Sequence, residues 1–261
     1  MKIATWNING IRARIDTALA WIKDASPDIA CLQEIKTEDL NFPSEMFEPL
    51  GYNVAVHGQK GFNGVALLSK LPLEDVSRGL PGGDGGDDHA RFIEAVVSVA
   101  GGALRVVSLY LPNGNPIGTE KFDYKLAWMA RLEEWTKAHL ALEEAFVLAG
   151  DFNVIPENLD ARFPDHWKRD ALFQPETLMT YRRLLNLGLT DAFRACEPGE
   201  GHYTFWDYQA GSWQKNDGIR IDHVLLSPQA ADHLRGAEID KRTRAWEKPS
   251  DHVPVIVELD F

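Results

Sequence analysis

The sequence has few cysteines, no long apolar run and no surplus of positive charge, and each shortage excludes a class of protein. Only Cys31 and Cys196 are cysteines among 261 residues, and they lie far apart without metal-ligand spacing. A disulfide framework is therefore not expected, and a reducing cytoplasm is the simplest compartment. Because no run of about 18 apolar residues occurs, we expect no membrane span. The first residues enter a strand pattern directly, without the apolar core of a signal peptide.

The formal net charge of −12 disfavours a protein that coats nucleic acid through a broad basic surface. It leaves open an enzyme that binds nucleic acid along a local basic rim. Acidic residues gathered around a cation would also add to the negative total. The proportions of hydrophobic and charged residues, 44% and 25%, are ordinary for a globular protein. From the length we predict a single domain spanning residues 1–261.

Apolar runs separated by glycine and proline predict an α/β protein. Helical spacing predicts three helices, at 11–25, 119–142 and 175–187. Strands are predicted at 2–6, 29–32, 52–57, 63–69, 91–99, 103–110, 145–149, 202–209, 221–227 and 253–259. The glycine-rich segment 79–88 is predicted to be a surface loop. Because a layout of hairpins with helices occurs twice, we expect two mostly antiparallel sheets packed face to face with helices outside.

Polar side chains stand at one end of five apolar strands. Three strands end in them, and two strands begin with them. If the second group runs antiparallel to the first, all of these side chains meet at one edge of the sheets. The residues expected at this mouth are Asn7, Glu34, Asp151, Asn153, Asp222, Asp251 and His252, with Tyr110 nearby.

This set of side chains is rich in oxygen, with one imidazole and no thiolate. Such donors suit a hard divalent cation, Mg²⁺ or Mn²⁺ as its substitute. The set therefore predicts metal-assisted hydrolysis of a phosphate ester. Each residue also has a structural interpretation: Glu34 as a surface acid, Tyr110 at the edge of the core, His252 as a strand cap, and Asp222 as the ion-pair partner of Arg220. These would have to hold independently at every strand end.

The motifs resemble those of the exonuclease III family of bacterial DNA-repair nucleases, within the endonuclease/exonuclease/phosphatase superfamily. The resemblance is carried in order by 6–10 (WNING), 32–34 (LQE), 110–114 (YLPNG), 150–153 (GDFN), 220–223 (RIDH) and 248–252 (KPSDH). GDFN and SDH are shared across the superfamily, whereas NING, YLPNG and KPSDH are more specific. The resemblance implies a four-layer α/β sandwich and Mg²⁺-dependent cleavage of duplex DNA 5′ to abasic sites. It also implies 3′→5′ exonuclease and 3′-phosphatase or phosphodiesterase activity at blocked 3′ ends.

The same resemblance implies roles for individual residues. Glu34 would be the principal metal ligand, and Asp151 would activate or orient the attacking water. His252, oriented by Asp222, would contact the scissile phosphate, although the base could be either Asp151 or His252. Tyr110 would hydrogen-bond a phosphate oxygen or assist the leaving oxygen. The implied metal shell comprises Asn7, Glu34, Asp151, Asn153, Asp251 and His252, and Asn153 also supports catalysis.

An aromatic segment resembles the damage-recognition loop of the family. Its rings at Phe205, Trp206 and Trp213 are expected to fill the gap left by a missing base or to clamp the extruded sugar. A core position is the alternative for Phe205 above all. Arg12, beside the first catalytic turn, is the preferred phosphate contact. Further candidates for phosphate contacts are Arg14, Arg91, Lys121, Lys125, Lys168, Arg169, Lys241, Arg242 and Arg244.

Two other interpretations stay open at this point. One is a phosphatase of the same superfamily that acts on inositol phosphates or lipids, which the aromatic loop and the NING and YLPNG motifs disfavour. The other is a non-catalytic DNA-binding module, which the full complement of polar strand ends disfavours. We expect a monomer that acts on double-stranded DNA and has no membrane partner.

Overall fold

The computed structural model describes residues 1–83 and 86–261. Its strands form two six-stranded sheets. In chain order they are β1 (Lys2–Asn7), β2 (Ile29–Gln33), β3 (Asn53–His57), β4 (Val65–Ser69), β5 (Glu74–Arg78), β6 (Phe92–Val99), β7 (Gly102–Tyr110), β8 (Ala145–Asp151), β9 (Thr190–Asp191), β10 (Asp222–Leu226), β11 (Leu234–Ile239) and β12 (Val255–Leu259).

The two sheets repeat one arrangement. The first has the order β11-β12-β1-β2-β4-β3 and the second has the order β5-β6-β7-β8-β10-β9. Each has one parallel pair at its centre, β1 with β2 and β7 with β8, and its other pairs are antiparallel. The prediction of two mostly antiparallel sheets is therefore confirmed.

Helices cover the outer faces of the sheets. They are α1 (Ile15–Ala25), α2 (Ser44–Phe47), α3 (Glu120–Leu140), α4 (Pro175–Asn186), α5 (Ala192–Cys196), α6 (Ser212–Lys215) and α7 (Pro228–Ala231). Trp21 of α1 packs against Trp6 of β1 with ring centroids 5.3 Å apart. Met129 and Leu132 of α3 join the core on the outer face of the second sheet. None of the helices within 1–83 and 86–261 combines the length and apolar character needed to cross a membrane.

A further apolar core lies between the two sheets. The two sheets and the helices outside them make four layers. Branched and small side chains from both sheets meet there because alternate residues of a strand point to opposite faces. Ile29 and Val65 come from the first sheet, and Ile93, Val147 and Val224 come from the second. This face-to-face packing brings the carboxyl ends of β1, β2, β7 and β8 to one edge of the molecule.

Some predicted elements differ from the structure. Segment 202–209 is not a strand, because Phe205 makes only isolated bridges to Ile219 and His252. Aromatic side chains in this loop alternate with polar ones and some of them are buried, so the sequence pattern resembles that of a strand. The helix predicted at 11–25 is interrupted at Arg14, where φ is −127°. Sequence periodicity also missed the peripheral strands β5, β9 and β11. The predicted loop 79–88 lacks regular structure where described, and residues 84–85 lie outside the described residues.

Candidate active site

A cavity of about 310 Å³ opens at the edge where the strands end. Antiparallel pairing places Asp222, at the start of β10, directly opposite Asp151, at the end of β8. Tyr110, at the end of β7, also stands beside Asp151. The close contact between β7 and β8 requires glycine at Gly150, because a Cβ there would lie 1.9 Å from the Leu109 carbonyl oxygen. The predicted convergence of strand ends and strand starts is therefore present.

Asn7 joins the two carboxylates at the centre of the site. Its Nδ2 donates to Glu34 Oε1 and to Asp151 Oδ2, both at 2.9 Å. The Asn7 oxygen accepts from the backbone N–H of Asn9 at 3.0 Å, which fixes the orientation of the amide. Asn7 therefore presents its amino group to the carboxylates, and its side-chain oxygen is occupied by the Asn9 backbone N–H.

The electrostatic environment of Glu34 keeps its carboxylate ionised. Burial alone would raise its pKa, but the nearby Lys36 ammonium and the Asn7 amide outweigh burial, so the pKa of Glu34 lies below its usual value. Lys36 Nζ lies 2.9 Å from Glu34 Oε2 and also donates to the Asn9 side chain. Lys36 was not predicted as a site residue.

Glu34, Asp151 and His252 can together hold a cation. One ligand atom from each lies within 4.8 Å of the others. Two carboxylate oxygens and one imidazole nitrogen form a donor set that suits Mg²⁺ or Mn²⁺. The chemistry of these residues therefore fits a divalent ion at the mouth of the cavity.

His252 is paired on both sides with carboxylates. Its Nδ1 lies 2.8 Å from Asp222 Oδ2, and its Nε2 lies 3.7 Å from Asp151 Oδ2. Burial alone would lower the pKa of His252, but these two carboxylates raise it well above the usual value. Burial raises the pKa of Asp151, and the Asp222 charge adds to this against the opposing effect of His252. The carboxylates therefore favour the protonated form of His252, whose Nδ1 donates to Asp222, and only the neutral form could offer Nε2 to a cation.

Tyr110, Asn153 and Asp251 line the same cavity. Burial, with the carboxylates of Glu34 and Asp151 nearby, raises the pKa of Tyr110 well above its usual value, so its hydroxyl stays protonated. Asp251 Oδ1 accepts from Asn9 Nδ2 at 2.9 Å. These neighbours leave Tyr110 as a donor and Asp251 as an acceptor at the wall.

Asn153 is tied to the loop after β7. Its Nδ2 donates to the Leu111 carbonyl oxygen at 2.9 Å, and its Oδ1 accepts from Asn113 Nδ2 at 3.1 Å. Its backbone N–H donates to Asp151 Oδ1 at 2.9 Å. Asn153 therefore fixes the Asp151 carboxylate while its own side chain is held by protein partners.

Lys125 lies beneath the loop after β7, and its position differs from the prediction. It is completely buried, and its Nζ donates to the carbonyl oxygens of Pro112, Asn113 and Asn153 at 3.1, 3.2 and 2.6 Å. Because its three donors are used inside the protein, the expectation that Lys125 contacts phosphate is wrong. Burial lowers the pKa of Lys125 to about 7. The lysine instead joins the two loops that flank the cavity.

The aromatic segment divides into an exposed wall and a buried support. Phe205 lines the cavity, and its ring centroid lies 5.0 Å from that of His252. Trp206 is 0% exposed, so the expectation that it contacts DNA is wrong. Trp213 is half-buried and packs edge-on against Trp206 at 4.9 Å. Phe205 is half-buried, because its ring lines the cavity and also packs against the apolar cluster that includes Ile219 and Ile221, so its core alternative holds in part.

The predicted cationic residues occupy different places. Arg12 is exposed in the turn after β1, so it stays a candidate for phosphate binding. Arg14, in the same turn, donates to three protein acceptors. Arg242 pairs with Asp24 and Asp240, so its charge is largely neutralised within the protein.

A buried charged cluster supports the start of β10. Arg220 is 1% exposed and donates to Asp160 Oδ1 at 2.7 Å and to Asp191 Oδ2 at 2.8 Å. The structure therefore pairs Arg220 with these acids and not with Asp222, which excludes the surface ion pair considered above. Arg220 Nη1 also lies 3.0 Å from His223 Nδ1, and His223 Nε2 lies 2.9 Å from the Val154 carbonyl oxygen.

Protein stability should fall between about pH 6.5 and pH 4 because of His223. Burial and the Arg220 guanidinium lower its native pKa to about 4, whereas an unfolded histidine titrates near 6.5. The unfolded state therefore binds the proton first as the pH falls. Urea unfolding of wild type and His223→Gln should show their stability difference shrinking by about 2 kcal/mol from pH 7 to pH 5. A difference that does not change with pH would contradict this assignment.

A match with a protein-family model shows which family the chain belongs to. The model described as the endonuclease/exonuclease/phosphatase family matches residues 4–252. The chain belongs to this family. It is 38% identical to exodeoxyribonuclease III of Haemophilus influenzae, over 99% of this chain and 100% of the relative. The resemblance found in the motifs is thereby confirmed within the endonuclease/exonuclease/phosphatase family.

Two solved structures of the family superpose on the whole chain. An AP endonuclease from Archaeoglobus fulgidus has a TM-score of 0.94 at 37% identity, with 100% of both chains covered. The 3′ phosphatase NExo from Neisseria, bound to a product DNA hairpin, has a TM-score of 0.95 at 37% identity, with 100% of both chains covered. The predicted sandwich of two sheets and outer helices is confirmed by these family members.

Several side chains at the cavity were not predicted. The apolar wall also contains Trp167, Leu172, Ile219 and Ile221. The polar rim also contains Asn113, Asp170 and Asp207. Of these, Asn113 stood in the YLPNG motif and could have been found from it. Ile221 likewise stood in the RIDH motif, whereas Trp167, Leu172 and Ile219 lie in no motif and reach the mouth only through the folded loops.

Proposed function

We propose that the protein is a Mg²⁺-dependent DNA-repair nuclease that cuts the phosphodiester bond 5′ to an abasic site. It also removes nucleotides and phosphate groups from 3′ ends. The observation that carries this proposal is the convergence of Glu34, Asp151 and His252 on one cavity, with Asp222 behind the histidine. The relatives described above support DNA as the substrate, because their names include an exodeoxyribonuclease, an AP endonuclease and a DNA-bound 3′ phosphatase.

The chemistry is divided between a metal ion and the protein. Glu34 would hold the ion, and Asn7 orients the carboxylates of Glu34 and Asp151. When bound, Mg²⁺ supplies a Lewis acid that stabilises negative charge on phosphate oxygens. Asp251, which also lines the cavity, would assist the metal.

The protein groups supply proton transfer and charge. The raised pKa of Asp151 makes its carboxylate a stronger base, which favours it as the acceptor of a proton from the attacking water. The imidazolium of His252, held by Asp222, donates to the scissile phosphate and balances its developing charge. The protonated Tyr110 hydroxyl donates to another phosphate oxygen or to the departing oxygen.

The apolar wall supports selectivity for damaged DNA. Phe205, Ile219 and Ile221 stand at the cavity beside the carboxylates. A sugar that has lost its base presents less volume and fewer polar groups than an intact nucleotide, so it can enter such a wall at lower desolvation cost. In this proposal, Arg12 and Trp213 contact the backbone of the bound DNA strand.

Incision of a duplex with one tetrahydrofuran abasic analogue tests the function. With Mg²⁺ we expect a single cut 5′ to the analogue, and EDTA should abolish it. Mn²⁺ should restore cutting after EDTA is removed. A duplex with a 3′-phosphate end, assayed in parallel, reports the second activity. If neither duplex reacts with Mg²⁺ or Mn²⁺, the proposed function is wrong.

A further inference from the structure

Arg14 connects three segments that surround the cavity. Its Nη2 donates to the Tyr208 hydroxyl at 2.8 Å, and its Nε donates to the Pro249 carbonyl oxygen at 3.1 Å. Its Nη1 donates to the carbonyl oxygen of Asn9. All three guanidinium nitrogens are thus used, and each reaches a different part of the chain.

The three acceptors belong to three functional segments. Asn9 lies in the turn after β1, two residues beyond Asn7. Tyr208 lies in the aromatic segment, three residues beyond Phe205. Pro249 directly precedes the segment that carries Asp251 and His252. The guanidinium is therefore a junction between the turn that follows Asn7, the aromatic wall and the segment that carries His252.

Tyr208 strengthens the same junction from the other side. Its hydroxyl donates to the Pro249 carbonyl oxygen at 2.8 Å while it accepts from Arg14, and Asn9 Nδ2 lies 3.4 Å away. The Arg244 guanidinium lies over the Tyr208 ring, 5.1 Å from its centroid. The backbone bonds that tie this segment to distant parts of the chain lie at its start, where Phe205 bridges Ile219 and His252 and the Trp206 backbone N–H donates to the Asp251 carbonyl oxygen at 2.9 Å. The Tyr208 contacts extend this attachment beyond Trp206.

We propose that Arg14 is a positioning residue that locks the aromatic segment 205–213 onto the turn after β1, so that the damage-recognising wall and the cleaving groups keep one geometry. This inference rests on the proposed function, because it assigns Phe205 to substrate recognition. It replaces the expectation that Arg14 contacts phosphate, since its inward-facing donors have protein acceptors. Arg is required because its planar fork can serve several acceptors at fixed angles, whereas Lys offers one point charge.

The lock predicts unequal effects on two substrates. Incision at an abasic site needs the aromatic wall and the cleaving groups in register. Removal of a 3′-phosphate needs the cleaving groups but no gap left by a missing base. In Arg14→Met we expect kcat for abasic incision to fall on the order of 10- to 100-fold, the usual effect of losing a group that orients another. The 3′-phosphatase rate should fall much less.

Three further variants separate positioning from charge. Arg14→Lys should resemble Arg14→Met, because lysine cannot make the three bonds. Tyr208→Phe should reproduce part of the loss, and adding it to Arg14→Met should cost little more, since both remove one shared junction. Lys23→Met, an exposed lysine on α1, is the control for loss of one positive charge and should behave as wild type.

Two readouts can overturn the proposal. If Arg14 contacts phosphate, Arg14→Met should lower the slope of log binding constant against log salt by about 1, and Arg14→Lys should restore it. In free Arg14→Met and Tyr208→Phe, hydrogen exchange of amides in 205–213 should be faster than in wild type. Unchanged exchange in both variants would refute the lock. Because exchange needs no DNA, it decides the lock even if wild type cuts neither duplex, an outcome that refutes the proposed function instead.

Discussion

Asp151→Asn should lower the rate of DNA cleavage by about 10²- to 10⁴-fold, the range for losing a general base. Asparagine has nearly the same shape as aspartate, so the strand end and its bond from the Asn153 backbone N–H can remain. A neutral amide cannot accept the proton of the attacking water, and it removes one charge that faces His252. The loss should therefore appear in the chemical step and not in substrate binding.

Single-turnover cleavage and fluorescence anisotropy on the abasic duplex measure these two steps separately. We expect the rate to fall while the dissociation constant for DNA changes little. Asp165→Asn is the matched control, because Asp165 lies on the loop after β8 with a side chain that is 81% exposed and paired only with Lys168. Near-normal turnover in Asp151→Asn would transfer the base role to another group.

Arg220→Met should destabilise the fold by about 3–5 kcal/mol, the cost of removing one partner from a buried ion pair. Arg220 is buried between Asp160 and Asp191. Without it Asp191 loses its main positive partner, and Asp160 keeps only its ion pair with Arg194 among these contacts. Burial would raise the pKa of Asp191, but the Arg220 charge, with help from His223, holds this pKa below its usual value. The loss should therefore be largest above the usual aspartate pKa near 4, where the unpaired acids must stay ionised or bind protons.

Urea unfolding at pH 7 measures the loss for Arg220→Met. Arg183→Met is the matched control, because Arg183 forms a salt bridge to Glu133 on the surface with a side chain that is 46% exposed. Surface pairs contribute about 0–1 kcal/mol, so the control should lie within that range. Equal losses in the two variants would show that burial of Arg220 carries no special cost, contrary to the argument.

The mouth of the site could be predicted because it follows from strand ends. A strand in a sheet has a fixed direction, so Glu34 after β2 and Asp151 after β8 must lie at one edge if the sheets are parallel at their centres. Pairing of Asp222 opposite Asp151 follows from an antiparallel neighbour. Periodicity in the sequence locates the strands and their ends, and one assumption about strand direction then brings the polar ends together.

The supporting contacts could not be predicted, because they depend on loop conformation. Arg14 and Tyr208 are 194 positions apart, and no local pattern pairs them. Lys125 occupies a helix position that reads as exposed, yet the loop after β7 folds over it. Both Phe205 and Trp206 were expected at the substrate, yet Trp206 is fully buried and Phe205 lines the cavity, because one residue of register decides which ring faces it. The side-chain alternation of a loop is set by its anchors, which sequence does not report.

The backbone conformation of three residues at the site lowers the thermal stability of the protein. Glu34, Asn9 and Asn153 have φ of 47°, 48° and 48°, in the left-handed region. That region costs a residue with a Cβ on the order of 1 kcal/mol, least for asparagine, and costs glycine almost nothing. Selection for thermal stability alone would thus favour glycine at Glu34, the residue that we propose as the metal-binding carboxylate. Laboratory evolution of a more thermostable enzyme should therefore also screen every round for DNA cleavage.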